Sequence, residues 1–142
     1  MRHDTVLAET IGIRGADDDE IEAYTARPLD GAARGGVVVI HHMPGYDAST
    51  KEITRRFAVE GYNAICMNLY SREAPGADPD DAAATARAQG GVPDARFVGD
   101  AAGAARWLRS LPTSNGKVGT IGFCSGGRQA FLSALELDIQ AA

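Results

Sequence analysis

The chain reads as an α/β protein built on a layered, mostly parallel sheet, and three observations predict this. The segments Gly36–His41, Asn63–Leu69 and Lys117–Phe123 are short, continuous apolar runs rich in β-branched residues, the pattern of strands buried on both faces. The first two flank a stretch of helical periodicity, so strand, helix and strand follow within about 35 residues, as a parallel pair with a crossover helix requires. Finally, 142 residues with 44% hydrophobic and 23% charged side chains are enough for one domain with its own core.

The elements follow in order. Thr5–Ile13 and Ile21–Ala26, joined through the acidic turn Asp17-Asp18-Asp19, read as an antiparallel pair at a sheet edge. Pro28–Gly35 is a loop, and Gly36–His41 is the first buried strand. Ser49 and Glu52 have capping-box spacing, Ile53 and Phe57 fall on one helical face, and Gly61 ends that helix. After the second buried strand, Ser71–Pro79 is a loop rich in Pro, Gly and Asp, and an Ala-rich helix ends near Gly90-Gly91. From Asp94, as N-cap, the positions Val98, Ala101, Ala102, Ala105 and Leu108 recur at helical spacing until Pro112 stops the run. Ser114-Asn115-Gly116 turns into the third buried strand, and a helix follows from Gly126 to about Leu135. No repeat or linker interrupts the sequence, so residues 1–142 are expected to form a single domain.

Charge and composition exclude several classes. A formal net charge of −5 speaks against nucleic acid as a partner, because phosphate binding needs a basic face. No apolar run approaches the roughly 20 residues that cross a bilayer. The N-terminal segment is interrupted by Asp4, Glu9 and Arg14 and lacks an apolar signal core, so a cytoplasmic location is expected. Two cysteines, Cys66 and Cys124, make no disulfide framework. The Asp78, Asp80 and Asp81 cluster has no ordered metal-ligand pattern, so no metal is expected.

The chemistry concentrates in Gly122-Phe123-Cys124-Ser125-Gly126-Gly127. It follows a buried strand directly and opens a helix, the context of a nucleophile elbow. At such a turn the nucleophile takes a strained backbone conformation, and side chains at the flanking glycines would strike the adjoining strand and helix. The turn lifts the Cys124 sulfur above the sheet at a helix N-terminus, where the dipole favours the charged thiolate. The amide of Ser125 then points where an oxyanion would form. Cys66, mid-strand between Ile65 and Met67, reads instead as a small core residue.

Ser114–Gly119 followed by Ile121–Gly127, together with Asn68-Leu69-Tyr70-Ser71-Arg72-Glu73-Ala74-Pro75-Gly76, resembles the dienelactone hydrolase (carboxymethylenebutenolidase) family through most of Val37–Leu135. The resemblance implies an α/β-hydrolase fold, a Cys-His-Asp triad, hydrolysis of a small ester or lactone through an acyl-enzyme, and no cofactor. It also implies a second oxyanion donor, the Met43 amide in His41-His42-Met43-Pro44-Gly45. Where those enzymes have a glutamate that takes part in activating the nucleophile, this chain has His42, a candidate site residue that competes with a packing role. His41 alternates to the opposite face and reads as structural. Tyr70, Arg72 and Arg87 are further candidates for the pocket wall, the two arginines for a substrate carboxylate, although solvated surface is the better expectation for Arg87.

Triads in this fold run nucleophile, acid, histidine. After Cys124 the chain holds only Glu136 and Asp138 as acids, and no histidine. The expectation is therefore an α/β-hydrolase domain that stops after the nucleophile helix, before the triad Asp and His. The exposed edge of the Lys117–Phe123 strand is expected to be covered by remaining C-terminal polypeptide or by a second copy. Two other readings of the elbow stay open: a glutamine amidotransferase-like thiol enzyme, and an inactive hydrolase-like or binding module in which Cys124 only packs.

Overall fold

The computed structural model describes residues 2–142. Among these residues five strands and four α-helices follow one another, with a 3-10 turn at Ala16–Asp18 between the first two strands: β1 (Val6–Arg14), β2 (Glu20–Pro28), β3 (Arg34–Ile40), α1 (Ala48–Val59), β4 (Asn63–Met67), α2 (Pro79–Ala88), α3 (Asp94–Ser110), β5 (Ser114–Gly122) and α4 (Ser125–Glu136). The five strands form one sheet in the order β1-β2-β4-β3-β5. β4, β3 and β5 run parallel, with Val38 level with both Ile65 and Thr120. β1 and β2 form an antiparallel hairpin at one edge, and β2 joins β4 antiparallel.

Alternation along the central strands produces three layers. Val38, Ile40, Ile65, Met67 and Val118 pack with Phe97, Ala101, Ala104 and Leu108 of α3 and Ala130 of α4. On the opposite face Val37, Val39 and Cys66 meet Tyr46 and the Ile53 and Phe57 side chains of α1. Because β3 and β4 face helices on both sides, Val37–Ile40 and Ala64–Met67 read as unbroken apolar runs, and the buried polar residues Arg34 and Asn63 stand only at the strand starts.

Three expectations are corrected. The N-cap of α1 is Asp47, not Ser49: its Oδ1 accepts from the Thr50 amide and the Thr50 hydroxyl, each at 2.9 Å. An anion two residues earlier satisfies the helix N-terminus better than a serine would, and Glu52 is left to pair with Arg55 and Arg56 on the helix surface. At α3 the cap is Pro93, because the Asp94 carboxylate is held by both terminal nitrogens of Arg128 on α4, at 2.7 and 2.9 Å. The buried residues of α3 are Phe97, Asp100, Ala101, Gly103, Ala104, Ala105 and Leu108: Ala101, Ala105 and Leu108 fall on the predicted stripe, Val98 and Ala102 are only partly buried, and a carboxylate joins the stripe.

The outer edge of β5 is paired in part, at Val118–Thr120, by the chain that follows α4. After α4 the chain turns at Leu137 and Asp138 and lies along β5. The Gln140 amide donates to the Val118 carbonyl at 2.8 Å and the Thr120 amide donates to the Ala141 carbonyl at 2.9 Å. The Val118 amide donates to Gln140 Oε1 at 2.7 Å, and Gly119 and Ala141 form a parallel bridge. Leu137 and Ile139 pack on the core beneath this strip, and Arg109 clamps it by donating to the Asp138 carbonyl at 2.6 Å. No helix of the described residues is long and apolar enough to cross a membrane.

Paired edge amides exchange slowly and unpaired ones quickly. Deleting residues 138–142 is therefore expected to speed hydrogen exchange at the Val118 and Thr120 amides at least tenfold, while Val38 and Ile65 stay protected. Equal exchange at Val118 and Thr120 in both forms would show that the strip does not pair with β5 in solution.

Candidate active site

Because β4, β3 and β5 are parallel, their carboxyl ends meet at one edge of the sheet, where crevices form in open α/β folds. β3 ends at Ile40 level with Gly122 of β5, so His41, His42, Phe123 and Cys124 are brought to the same rim. Cys124 has φ 57° and ψ −117°, a conformation side chains rarely adopt. It is solvent-exposed and directly precedes α4. The flanking glycines are required by contact. A Cβ on Gly126 would lie 2.6 Å from the Ile40 carbonyl oxygen and 2.8 Å from that of His41, and one on Gly122 would run into the Gly126 carbonyl. α4 is thus seated directly on the end of β3, with the strained Cys124 between strand and helix.

Beside Cys124, Met43, Ser125, His41, Tyr70, Arg87 and Gln129 line a cavity of about 180 Å³. Among the described residues neither the Met43 nor the Ser125 amide has an acceptor within the chain. Ser125 opens α4, where the first amides lack helical partners. The Met43 loop is held from several sides. The Tyr70 hydroxyl donates to the Met43 carbonyl at 2.7 Å, and the Gly45 amide donates to the His42 carbonyl at 3.0 Å. That carbonyl also lies 2.8 Å from His41 Nδ1, while His41 Nε2 accepts from the Leu69 amide at 3.1 Å. Since Nε2 accepts, Nδ1 carries the proton and donates.

Burial drives the His41 imidazole down to about 4, with the bond to His42 only partly opposing it. His42 is placed differently. Its Nε2 lies 2.8 Å from Asp47 Oδ2, the same carboxylate that caps α1, and its side chain is about one-third exposed. Burial works to raise the Asp47 carboxyl, but the Thr50 amide, the His42 ring and the Thr50 hydroxyl together hold it below the usual range. Neither Asp47 nor its link to His42 was visible in the sequence. The clue is an Asp that doubles as a helix cap five residues after the histidine, which acquires meaning only once the loop closes.

Arg72 is held within the chain. Its guanidinium is engaged by Asp100 at 2.9 Å through both terminal nitrogens, by Asp19 at 2.8 Å and by the Ala16 carbonyl at 3.1 Å. Through these four hydrogen bonds it clamps the β1–β2 turn to α3. Asp100 in turn is fully buried and accepts from the Ala16 amide. Arg87 lines the cavity with an exposed side chain and makes no ion pair among the described residues. Cys66 is fully buried and its thiol is pushed up by desolvation, in contrast to the exposed Cys124. Glu136 ends α4, about 18 Å of helix from the elbow at 1.5 Å per residue.

A three-layer sheet with a strained thiol between strand and helix defines the α/β-hydrolase class. Within that class, the chain belongs to the dienelactone hydrolase family, whose profile matches residues 21–142. It is 36% identical over 135 residues to the carboxymethylenebutenolidase of Pseudomonas putida, covering 91% of this chain and 56% of that protein. It is 31% identical over 137 residues to that of Pseudomonas sp. strain P51, covering 92% and 57%. The chain thus spans about half the length of the curated relatives it matches. Among solved structures, a Klebsiella pneumoniae protein assigned to dienelactone hydrolase superposes with a TM-score of 0.80 at 28% identity, over 92% of this chain and 55% of that one. A dienelactone hydrolase-like promiscuous phosphotriesterase from metagenomic libraries shares the fold, with a TM-score of 0.71 at 24% identity over 91% and 54%.

Two outcomes follow from these contacts. His41 is neutral in the folded state but takes a proton when unfolded below about pH 6.5, so the unfolded chain binds more protons between pH 6.5 and about 4. Stability should therefore fall as pH drops through that window, and His41→Asn should flatten this part of the profile in urea titrations. Arg72→Met leaves Asp100 buried without its cation, and is expected to cost about 3–5 kcal/mol in the same assay. A loss under 1 kcal/mol would mean that the pair is dispensable.

Proposed function

We propose that the protein is a carboxylic ester hydrolase that opens a small ester or lactone through Cys124 and an acyl-enzyme. The observation that carries this reading is the strained, exposed Cys124 at the head of α4, next in the chain to Ser125, which with Met43 lines a cavity and whose amide, like that of Met43, has no acceptor among the described residues. The relatives named carboxymethylenebutenolidase support the lactone class.

In this reading the Cys124 thiol first gives up its proton. His42 is our candidate acceptor: with Asp47 receiving the Nε2 hydrogen, Nδ1 is the basic nitrogen. The sulfur then attacks the acyl carbon, forming an S–C bond while the carbonyl electron pair moves onto oxygen. The Met43 and Ser125 amides receive that oxyanion. When the tetrahedral species collapses, the C–O bond to the leaving group breaks and the departing oxygen takes the proton back. Water then cleaves the thioester and frees Cys124. Arg87, on the cavity wall, is the available cation for a substrate that carries a carboxylate.

The test is turnover of 4-nitrophenyl acetate and of a dienelactone by the full-length protein. Cys124→Ala is expected to lower kcat/KM on the order of 10³-fold or more, and mass spectrometry should find the acyl group on Cys124. Undiminished turnover by that variant would sink the nucleophile assignment. His42→Ala should cost roughly 10²-fold, and an effect below threefold would leave His42 as a packing residue.

A further inference from the structure

His41 was read from the sequence as structural, and its burial at 2% exposure fits that. Its hydrogen bonds say more. In a trans peptide the carbonyl of one residue and the amide of the next point in opposite directions from a single rigid plane. Fixing the His42 carbonyl therefore fixes the Met43 N–H. Two donors converge on that carbonyl: His41 Nδ1 at 2.8 Å and the Gly45 amide at 3.0 Å. The other side of the ring is anchored by the Leu69 amide at 3.1 Å, in the turn after β4, and the ring packs edge-on against Tyr70 with centroids 4.9 Å apart. Tyr70 in turn holds the next carbonyl, that of Met43.

We infer that His41 is a positioning residue for the reaction: it ties the His42–Met43 peptide to the β4 turn and so aims the Met43 amide into the cavity as an oxyanion donor. This rests on the reading of the Met43 amide as a donor given above. Chain entropy explains why a side chain is needed. The loop from His42 to Asp47 is free of regular structure and contains a glycine at φ 113°, so an unanchored peptide plane would rotate and lose the alignment that makes preorganised donors effective. A neutral ring with one donor and one acceptor is the group that bridges a carbonyl and an amide from two different strand ends. A lysine or arginine offers no acceptor for the Leu69 amide, and an aliphatic side chain offers neither group.

Two substitutions divide the ring's functions. His41→Asn places an amide NH2 near the Nδ1 position and can keep the bond to the His42 carbonyl. His41→Gln reaches toward the Nε2 position, where it can keep the Leu69 bond while giving up the donor to His42. Ester turnover needs the oxyanion donors, whereas alkylation of Cys124 by iodoacetamide is a displacement at saturated carbon that forms no oxyanion. In the full-length protein, His41→Gln is expected to lower kcat for 4-nitrophenyl acetate at least tenfold with KM within threefold. The rate of Cys124 alkylation, followed by mass spectrometry, should stay within threefold of wild type. His41→Asn should recover most of the lost kcat.

The inference is overturned if His41→Gln loses less than tenfold in kcat, if alkylation falls in proportion to turnover, or if His41→Asn is no better than His41→Gln. A protein in which Cys124→Ala retains esterase activity fails in a separate way, because the nucleophile reading is then lost whatever His41 does.

Discussion

Everything at the rim of the sheet depends on how closely α4 sits on the end of β3. The Ile40 and His41 carbonyls approach Gly126 to a distance that admits no side chain, and that contact fixes three things together. It holds Cys124 in its strained conformation, because strand and helix leave no room for a relaxed turn. It sets the amides of the first turn of α4 beside the loop that follows β3. It also places His41 and His42 at the rim, one turned inward and one outward. Strain of this kind persists only where the surroundings over-determine it, and here the parallel register of β3 with β5 provides the determination.

Much of this could be read in the sequence because it rests on local pattern. The three buried strands appear as apolar runs, since both of their faces are covered. The elbow appears as small residues around Cys124, since only glycine tolerates the approach. What could not be read is what long-range contact decides. Asp100 falls on the buried face of α3, where helical periodicity predicts an apolar residue, and only Arg72 from a loop 28 residues away explains it. Ser49 and Glu52 have the right spacing for a cap, yet Asp47 takes the position because its carboxylate serves His42 as well as Thr50. The return of the chain onto β5 at Gln140 and Ala141 leaves no periodic signature, because two residues of pairing are too short to make one.

Arg72 also shows how the demands of the fold bear on a residue that the sequence offers as a site candidate. It lies in the stretch that carries the family likeness, and a cation near a pocket suggests an anionic substrate. A fully buried carboxylate, however, is a far stronger demand on a nearby guanidinium than an exposed ligand is, because an unpaired charge in the interior is costly. Asp100 and Asp19 therefore take the group, and the β1–β2 turn is fastened to α3 in consequence. Among the sequence's candidates Arg87 is the arginine that lines the cavity, and among the described residues it makes no ion pair.

The adjacent histidines divide by the same logic of partners. His41 is surrounded by backbone, an amide on one nitrogen and a carbonyl on the other, and a ring so placed has no freedom to exchange protons without breaking a bond that organises the loop. His42 has a carboxylate on one nitrogen and stands nearer the solvent, so its ring is not tied to the backbone that shapes the loop. Of two identical side chains one residue apart, the first holds geometry and the second moves the proton in the mechanism proposed above. The difference comes from what the carboxyl ends of β3 and β4 present to each ring, not from the rings themselves.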